Sequence, residues 1–421
     1  MKSILVGNGF NIQFGGVAYS SEYIMKRIQY KNLFGGYQEL FSRVLKDSEI
    51  QSILLNFVSV ANEIRNGLYD SYSKDSDTQN ALLDYKKRYK CSISEPYHIM
   101  LEDWFFIIHM FLQKNDDIPD KGAVKLGFER LILDGIYNGG MIQELYQKFP
   151  KTLKKFLSEY DHIFTLNYDN NLELSTGNTV YHLHGSFSVI SQENKTVAIP
   201  GYEHCFCNAL LHYSGELKYR NAKFCHAFIE LPAWHKKVTE YYFDLFENIE
   251  GELHIIGMSP NNDDHIFKCI IGNKKISKVV FYYHSIEQKE YIESTFDKRI
   301  FECADVKKLW KDLKCEEKKY SCNHNLPSDI DNLISVMNVL SKDLVTKEQV
   351  FENINRIPQF EAIRLGKLVI QDIKRRNPHN TPTTQKEFEK TIYSSCYIAL
   401  QEGVLPSTLF LLVIMYFDKI K

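Results

Sequence analysis

The sequence lacks the features that would carry a chain into or across a membrane. Its longest apolar run, residues 404–417 of 421, is interrupted by Pro406 and is too short to span a bilayer. The N-terminus passes from Met1-Lys2 straight into an apolar segment, without the successive regions of a signal peptide. We therefore expect a cytoplasmic protein with no membrane-spanning segment.

The sequence also lacks a large net charge and the regular cysteine spacing of a disulfide framework. The formal net charge is −2, so there is no basic footprint, and we expect no direct binding to nucleic acid. Nine cysteines lie at irregular spacing, which favours a reducing compartment. His204, Cys205, Cys207, Cys225 and His226 are residue types that bind zinc, but Cys-x-Cys is not the spacing of a zinc knuckle. Buried thiols and no bound metal are the expectation.

The most informative stretch is the one that opens the chain. Ile4, Leu5 and Val6 run into the turn Gly7-Asn8-Gly9. This pattern predicts a buried parallel strand and then a loop whose backbone N–H groups can approach a phosphate. The dinucleotide motif Gly-x-Gly-x-x-Gly has a third glycine, where this chain has Ile12. An ordinary tight turn is the alternative for this loop.

Polar residues follow each of the later predicted strands. In open α/β sheets, ligands bind outside the carboxyl ends of the strands. Strands separated by helical stretches predict an α/β fold with a doubly wound, Rossmann-like, mostly parallel sheet. The predicted strands and the residues after them are 161–166 with Asn167 and Asp169, 179–184 with Gly185 and Ser186, 253–256 with Gly257, Ser259 and 261–264, 279–283 with His284, and 300–302 with Asp305.

Two regions have helical periodicity only. Residues 37–157, called the helical lobe below, either cover the nucleotide site or merely pack against the sheet. Residues 328–421 form a predicted C-terminal all-α domain, joined by a polar linker to a catalytic domain of residues 1–314. The apolar run 409–415 exceeds what one helix against a small domain needs, so we expect it to form a partner surface in a homo-oligomer. The alternative is that this run is the core of the C-terminal domain.

The order of the strand-end motifs resembles that of the sirtuin-like, NAD-consuming fold. The motifs are Gly7-x-Gly9, Asn167-x-Asp169, His184-Gly185-Ser186 and Gly257-x-Ser259, and the resemblance covers residues 1–312. The opening segment, Val6 to Gly16, looks more closely like bacterial sirtuin-like proteins of anti-phage defence, some of which assemble with a HerA-type ring ATPase. The resemblance implies hydrolysis of NAD+ to nicotinamide and ADP-ribose, NAD depletion in abortive infection, and such an ATPase as a partner.

The resemblance also implies roles for single residues. Asn167 and His184 match the catalytic positions, and His184 stands where the family has its catalytic histidine. Asn11 stands where deacetylating sirtuins usually have serine. The implied NAD-binding residues are Gly7, Asn8 and Gly9 at the pyrophosphate, Asn11, Asp169 near the nicotinamide ribose, Gly257, Ser259 and Asp264 on the adenosine side, and Asp305 at the adenine.

The chemistry of these residue types fits cleavage of the nicotinamide–ribose bond. An asparagine stays neutral and offers both a donor and an acceptor, so Asn167 suits positioning of water or nicotinamide. Asp169 can steady positive charge on the ribose. His184 titrates near neutral pH and can accept a proton. Strand alternation puts His182 on the same face, and we assign it a structural role. The alternatives are a core histidine at 184 and a helix cap at Asn167.

Two departures from the family bear on the activity. Deacetylating sirtuins carry a Pro-Asp-Phe-Arg stretch soon after the glycine loop and two Cys-x-x-Cys pairs for zinc, and neither is present in this sequence. Both absences count against a protein deacetylase, which is one alternative function. The other alternative is a non-catalytic module that senses a nucleotide and serves assembly.

Overall fold

A six-stranded parallel sheet forms the centre of the larger of two compact units. The computed structural model describes residues 1–32, 38, 41–184, 186, 198–199, 202–206, 242–260, 263–315, 334, 347–376 and 385–420. One unit comprises residues 1–14 and 20–316, and the other comprises residues 15–19 and 317–421. The strands are β1 Lys2–Val6, β2 His162–Thr165, β3 Val180–His182, β4 Ala198–Ile199, β5 Tyr202–Phe206, β6 Gly251–Ile256, β7 Ile276–Tyr283 and β8 Phe301–Asp305.

The sheet has the order β3-β2-β1-β6-β7-β8, and β4 and β5 form a separate antiparallel pair. Every pair in the large sheet is parallel. When β4 and β5 are left out, β6, β7 and β8 are the fourth, fifth and sixth strands, and the order 3-2-1-4-5-6 is that of a Rossmann-like sheet. The strand order reverses between β1 and β6. The predicted doubly wound α/β architecture is confirmed at this level.

Strand β1 is covered on both faces, as a central parallel strand requires. Leu5 faces a core that includes Leu253, Phe281 and residues of three helices following β5, β6 and β7. Ile4 and Val6 point to the opposite face and are also fully buried. The apolar run at the start of the chain therefore forms a strand because both of its faces pack away from water.

The helices of this unit are, in chain order, α1 Asn8–Gly15, α2 Ser21–Asn32, α3 Asp47–Arg65, α4 Ser76–Arg88, α5 Leu101–Lys114, α6 Lys121–Tyr137, α7 Lys151–Leu157, α8 Asn171–Thr176, α9 Phe243–Glu247, α10 Asp264–Gly272, α11 Ile286–Thr295 and α12 Val306–Asp312. A 3₁₀ helix of 11 residues spans Asn138–Lys148. Within the described residues of the helical lobe, only helices, turns and loops occur. Its core contains a stacked pair, Phe57 and Trp104, with ring centroids 3.9 Å apart.

The second unit is helical in its described residues. Its helices are α13 Lys347–Asn355, α14 Gln359–Arg376, α15 Gln385–Glu402, α16 Pro406–Met415 and α17 Phe417–Ile420. The apolar run that we expected to form a partner surface lies in α16, and residues 409–413 are at most 1% exposed. Leu409, Leu412 and Val413 pack against α14 and α15, and Leu411 packs against α13. The argument for a partner surface at this run is therefore wrong, because the run is core of its own unit.

Two differences from the predicted strand boundaries concern predicted site residues. Strand β3 ends at His182, so His184 lies in the turn that follows and not in the strand. The last paired residues are Thr165 and His182, and Leu183 N still donates to Thr165 O at 2.9 Å before the turn that holds His184. Strand β8 extends to Asp305, whose carboxylate caps α12 by accepting from Lys307 N at 2.8 Å. Among the described residues, no helix is both long and apolar enough to cross a membrane.

Candidate functional site

The candidate site is the carboxyl edge of the sheet, defined here as residues 7–11, 166–171, 183–184, 186 and 257–260. These residues follow the carboxyl ends of β1, β2, β3 and β6, on both sides of the point where the strand order reverses. Dinucleotides bind at this point in Rossmann-like sheets. Buried polar side chains are concentrated there, namely those of Asn11, Asn167, Asp169, Asn171, His184 and Ser186.

The glycines of this edge allow two strand ends to touch. A Cβ added to Gly7 would lie 2.7 Å from Gly257 O, and one added to Gly9 would lie 2.7 Å from Gly257 Cα. Gly257 has φ +71, and a Cβ there would lie 2.5 Å from Phe10 N. Only glycine tolerates this backbone angle together with such close backbone contacts. The three glycines therefore lock the turn after β1 against the turn after β6.

The amides of the glycine turn bind protein carbonyls. Gly7 N donates to Ile256 O at 2.9 Å, and Gly9 N donates to Gly257 O at 2.7 Å. We expected these amides to cradle a pyrophosphate, but in this structure both are used to hold β6. The turn continues directly into α1, which starts at Asn8, so Gly9 lies inside the first helical turn.

Asn167 is held at three points. Its backbone N donates to Thr165 Oγ1 at 3.0 Å, and its backbone O accepts from His182 Nδ1 at 2.8 Å. Its side-chain Nδ2 donates to Gly7 O at 3.3 Å. The structure therefore joins two motifs that are 160 residues apart in the sequence, and it fixes the position of the asparagine relative to the glycine turn.

Asp169 binds α1 to α8. Its Oδ2 accepts from Asn11 Nδ2 at 2.6 Å, and its Oδ1 accepts from Asn171 N and Nδ2 at 3.1 and 2.5 Å. Burial raises the pKa of Asp169, while the bonds from Asn11 and Asn171 and the charge of His182 act in the opposite direction. Asn11 and Asp169 thus lie side by side, as expected of residues of one site, but their side chains bind each other.

A residue that sequence reasoning missed connects this edge to the helical lobe. Asn171 Nδ2 donates to Ile142 O at 2.7 Å, and its Oδ1 accepts from Tyr146 N at 2.9 Å. Asn170 N also donates to Gln143 Oε1 at 2.9 Å. The only sequence signal was the run of polar residues after Asp169, which is equally typical of a solvated turn.

The two histidines after β2 differ in their surroundings. His184 is 4% exposed and lies in the turn beyond β3. His182, the last residue of β3, donates from Nδ1 to Asn167 O and from Nε2 to Glu173 Oε1 at 2.6 Å. Burial by itself lowers the pKa of His182, but the hydrogen bond and charge of Glu173, the Asn167 carbonyl and the charge of Asp169 raise it overall. These bonds fit the structural role expected of His182.

The remaining predicted site residues lie around this edge or away from it. Asn8 is exposed, and Ser259 is half-buried in the turn after β6. Asp264 is the first residue of α10, and Asp305 is exposed and caps α12. Residues Gly185, Asn261, Asn262, Cys207, Cys225 and His226 lie outside the described residues, and within the described residues no cluster of three or more metal-ligating side chains occurs.

The arrangement of side chains determines what chemistry this edge can perform. It offers a neutral amide, a carboxyl group and a histidine, all buried, beside a glycine turn at the reversal point of the sheet. Such a set can position a water molecule and accept a proton from it. Comparisons of the chain with protein families, with curated proteins and with solved structures found no match.

Proposed function

We propose that the carboxyl edge binds NAD+ and hydrolyses its nicotinamide–ribose bond. One observation carries the proposal: Asn167, Asp169 and His184 are buried together with the glycine turn at the reversal point of a Rossmann-like sheet. The resemblance of the strand-end motifs to sirtuin-like NAD-consuming proteins points to the same chemistry. A Rossmann-like sheet alone is shared by many activities, so the residues at its edge carry the argument.

The reaction needs positioning more than acid catalysis. The bond between C1′ and the nicotinamide nitrogen breaks, and neutral nicotinamide leaves with the electron pair. The oxygen of a water molecule bonds to C1′ and gives ADP-ribose, and the proton of that water passes to His184 and then to solvent. Asn167 is held at its backbone N, its backbone O and its Nδ2, so its Oδ1 is fixed in place to accept a hydrogen bond from the water.

Asp169 has a supporting role in this proposal. Both of its oxygens bind amide groups of Asn11 and Asn171, so it orders the edge. In this proposal its carboxylate lies near the ribose and stabilises the positive charge that develops as the bond breaks. The glycines keep the turn after β1 in contact with β6, and this contact forms the base of the proposed site.

The proposed biological setting rests on the resemblance alone. We propose a bacterial anti-phage defence protein that depletes NAD+ in abortive infection, acts as a homo-oligomer and pairs with a HerA-type ring ATPase. Unrestrained NAD+ hydrolysis would harm the cell that makes the protein, so the isolated chain is expected to be weakly active. Light scattering with and without the candidate ATPase tests the assembly.

Nicotinamide release from NAD+ by the pure chain, alone and with the candidate ATPase, tests the activity. His184→Ala should slow release 100-fold or more, since positioned acid–base groups contribute roughly 10²–10⁴ in rate. Asn167→Ala should slow release while calorimetry still detects NAD+ binding. Matched controls are His98→Ala and Asn56→Ala, both at exposed positions of the helical lobe. A folded His184→Ala protein with full activity contradicts the assignment.

A second candidate is a module that binds a nucleotide without cleaving it. It is favoured by one observation, namely that the amides of Gly7 and Gly9 and both oxygens of Asp169 already bind protein groups. NAD+ binding by calorimetry without nicotinamide release, in the presence of the partner, would select this candidate.

A further inference from the structure

His182 has a hydrogen-bond acceptor at each ring nitrogen. Nδ1 lies 2.8 Å from Asn167 O, and Nε2 lies 2.6 Å from Glu173 Oε1. A backbone carbonyl only accepts, so Nδ1 carries a proton. A second proton lies between Nε2 and the carboxylate, and imidazole is the more basic of these two groups. The ring therefore carries both protons and a positive charge in this geometry.

The charged groups around His182 favour this state. Glu173 approaches from α8, and Asp169 lies in the segment between β2 and α8. Glu173 is partly open to solvent, since 30% of its side chain is exposed, whereas His182 is buried. Glu173 Oε2 is buried without a hydrogen-bond partner, so Oε1 supplies the only hydrogen bond of that carboxyl group in the described residues.

The charge of His182 bears directly on Asn167. Of the three hydrogen bonds that hold this asparagine, only the one from His182 comes from a group that titrates near neutral pH. Loss of the proton between Nε2 and Oε1 would bring two lone pairs together at 2.6 Å. The ring or Glu173 must then move, and the Asn167 carbonyl loses a charged donor.

We infer that His182 is a positioning residue which, as an imidazolium paired with Glu173, fixes Asn167 in the orientation that hydrolysis requires. The site therefore works only while His182 is protonated. This inference rests on the proposed function, since it explains how the edge keeps Asn167 ready to hold water. It gives the two neighbouring histidines opposite requirements: His184 must be neutral to accept a proton, and His182 must stay charged.

The pH profile of nicotinamide release tests the inference. We expect a bell, with a rising limb from His184 and a falling limb from His182. Glu173→Gln removes the negative charge and allows the amide to donate to Nε2, so the falling limb should move to lower pH by about 1 unit or more. Glu252→Gln, which changes the carboxyl partner of His254 on β6, is the matched control and should leave both limbs in place.

A merely structural His182–Glu173 pair predicts a different result. In that case Glu173→Gln lowers the stability of the protein but leaves the falling limb of the pH profile in place. This outcome overturns the inference. The same conclusion follows if wild-type activity does not fall at high pH. A falling limb that shifts in Glu173→Gln and stays in place in Glu252→Gln supports the inference.

A second measurement separates this inference from the proposed function. Selective ¹⁵N labelling of histidine reports the protonation of both ring nitrogens, with the His182 signals assigned by their loss in His182→Gln. At pH 7 we expect both nitrogens of His182 to have imidazolium shifts and His254 to be neutral. A neutral His182 overturns the inference even if NAD+ is hydrolysed. A charged His182 in a protein that never cleaves NAD+ defeats the proposed function and leaves the charge assignment standing.

Discussion

Two histidines on the same sheet are each bound to a glutamate, but their pKa values are shifted in opposite directions. At the carboxyl edge, His182 donates to Glu173 at 2.6 Å, and its pKa is raised. In the middle of β6, His254 donates to Glu252 at 3.0 Å, and its pKa is lowered. Both rings are buried, at 8% and 6% exposure, so burial alone does not separate them.

One difference lies at the other ring nitrogen. Nδ1 of His182 faces a backbone carbonyl, which can only accept, whereas Nδ1 of His254 lies 2.8 Å from the Tyr160 hydroxyl, which can donate. Burial lowers the pKa of His254 most, the bond to Glu252 raises it, and the charges of Lys2 and Lys278 lower it again. A carboxylate at one nitrogen thus does not by itself fix the pKa of a buried imidazole, because burial, nearby charges and, for His182, the carbonyl at the second nitrogen also shift it.

The largest expected loss of stability concerns the packing of the carboxyl edge. His182 can keep its charge only if this edge holds its two hydrogen-bond partners in place. Gly257→Ala places a Cβ 2.5 Å from Phe10 N at φ +71. Left-handed backbone and overpacking together should destabilise the fold by about 3 kcal/mol. Gly177→Ala has the same φ of +71 with open space around it and should cost only about 1 kcal/mol.

Urea unfolding followed by tryptophan fluorescence measures both glycine variants. Of the three tryptophans, Trp104 and Trp310 lie among the described residues of the unit that contains the sheet, so their signal reports that unit. Equal losses for the two variants would show that the contact between the turns after β1 and β6 is not tight.

Removal of each ring should give the next largest effect. His182→Ala leaves the Asn167 carbonyl without its donor and the Glu173 carboxylate without its partner, and we expect a loss of about 2 kcal/mol. His254→Ala should cost about 1 kcal/mol, because Glu252 is 35% exposed and has Lys278 at 3.9 Å. The same urea experiment at pH 7 compares the two, and a larger loss for His254→Ala would reverse the ranking.

The pH dependence of stability should have opposite signs for the two rings. The raised pKa of His182 means that its contribution is complete below about pH 6.5 and is lost as the pH rises through its folded pKa. The lowered pKa of His254 means that its contribution is complete above about pH 6.5 and is lost as the pH falls towards its folded pKa. Each slope is limited to about 1.4 kcal/mol per pH unit for one proton.

Unfolding free energies of the wild type, His182→Gln and His254→Gln between about pH 5 and pH 8 give both slopes. The difference between wild type and His182→Gln should shrink as the pH rises, and the difference for His254→Gln should shrink as the pH falls. Slopes of the same sign would mean that the pKa values of the two rings are shifted in the same direction.

The smallest effect is expected for Tyr160→Phe. This change removes the hydroxyl that donates to His254 Nδ1, while the Tyr282 hydroxyl remains 3.4 Å from the same nitrogen. The loss of stability should stay below about 1 kcal/mol. Nicotinamide release should be unchanged, because this network lies in the middle of the sheet, and a strong loss of activity would place it in the site.

Local patterns in the sequence were enough to predict the parallel sheet and to place the candidate site at its carboxyl edge. The apolar run before Gly7 and the polar residues after each later strand identified the strand ends, because strand alternation and turn preferences depend on neighbouring residues only. Since the carboxyl ends of parallel strands meet at one edge, the same patterns gathered Asn11, Asn167, Asp169 and His184 at a single place.

What the side chains do at that edge was decided only by the tertiary structure, because their partners are distant in the sequence. The glycine turn pairs with Gly257, and Asn11 pairs with Asp169, which is 158 residues away. His184 lies beyond the last pairing of β3 with β2, and the apolar run 409–413 became core because other helices cover it. The charge of His182 depends on an acceptor from β2 and a carboxylate from α8, and no local pattern specifies two such contacts at once.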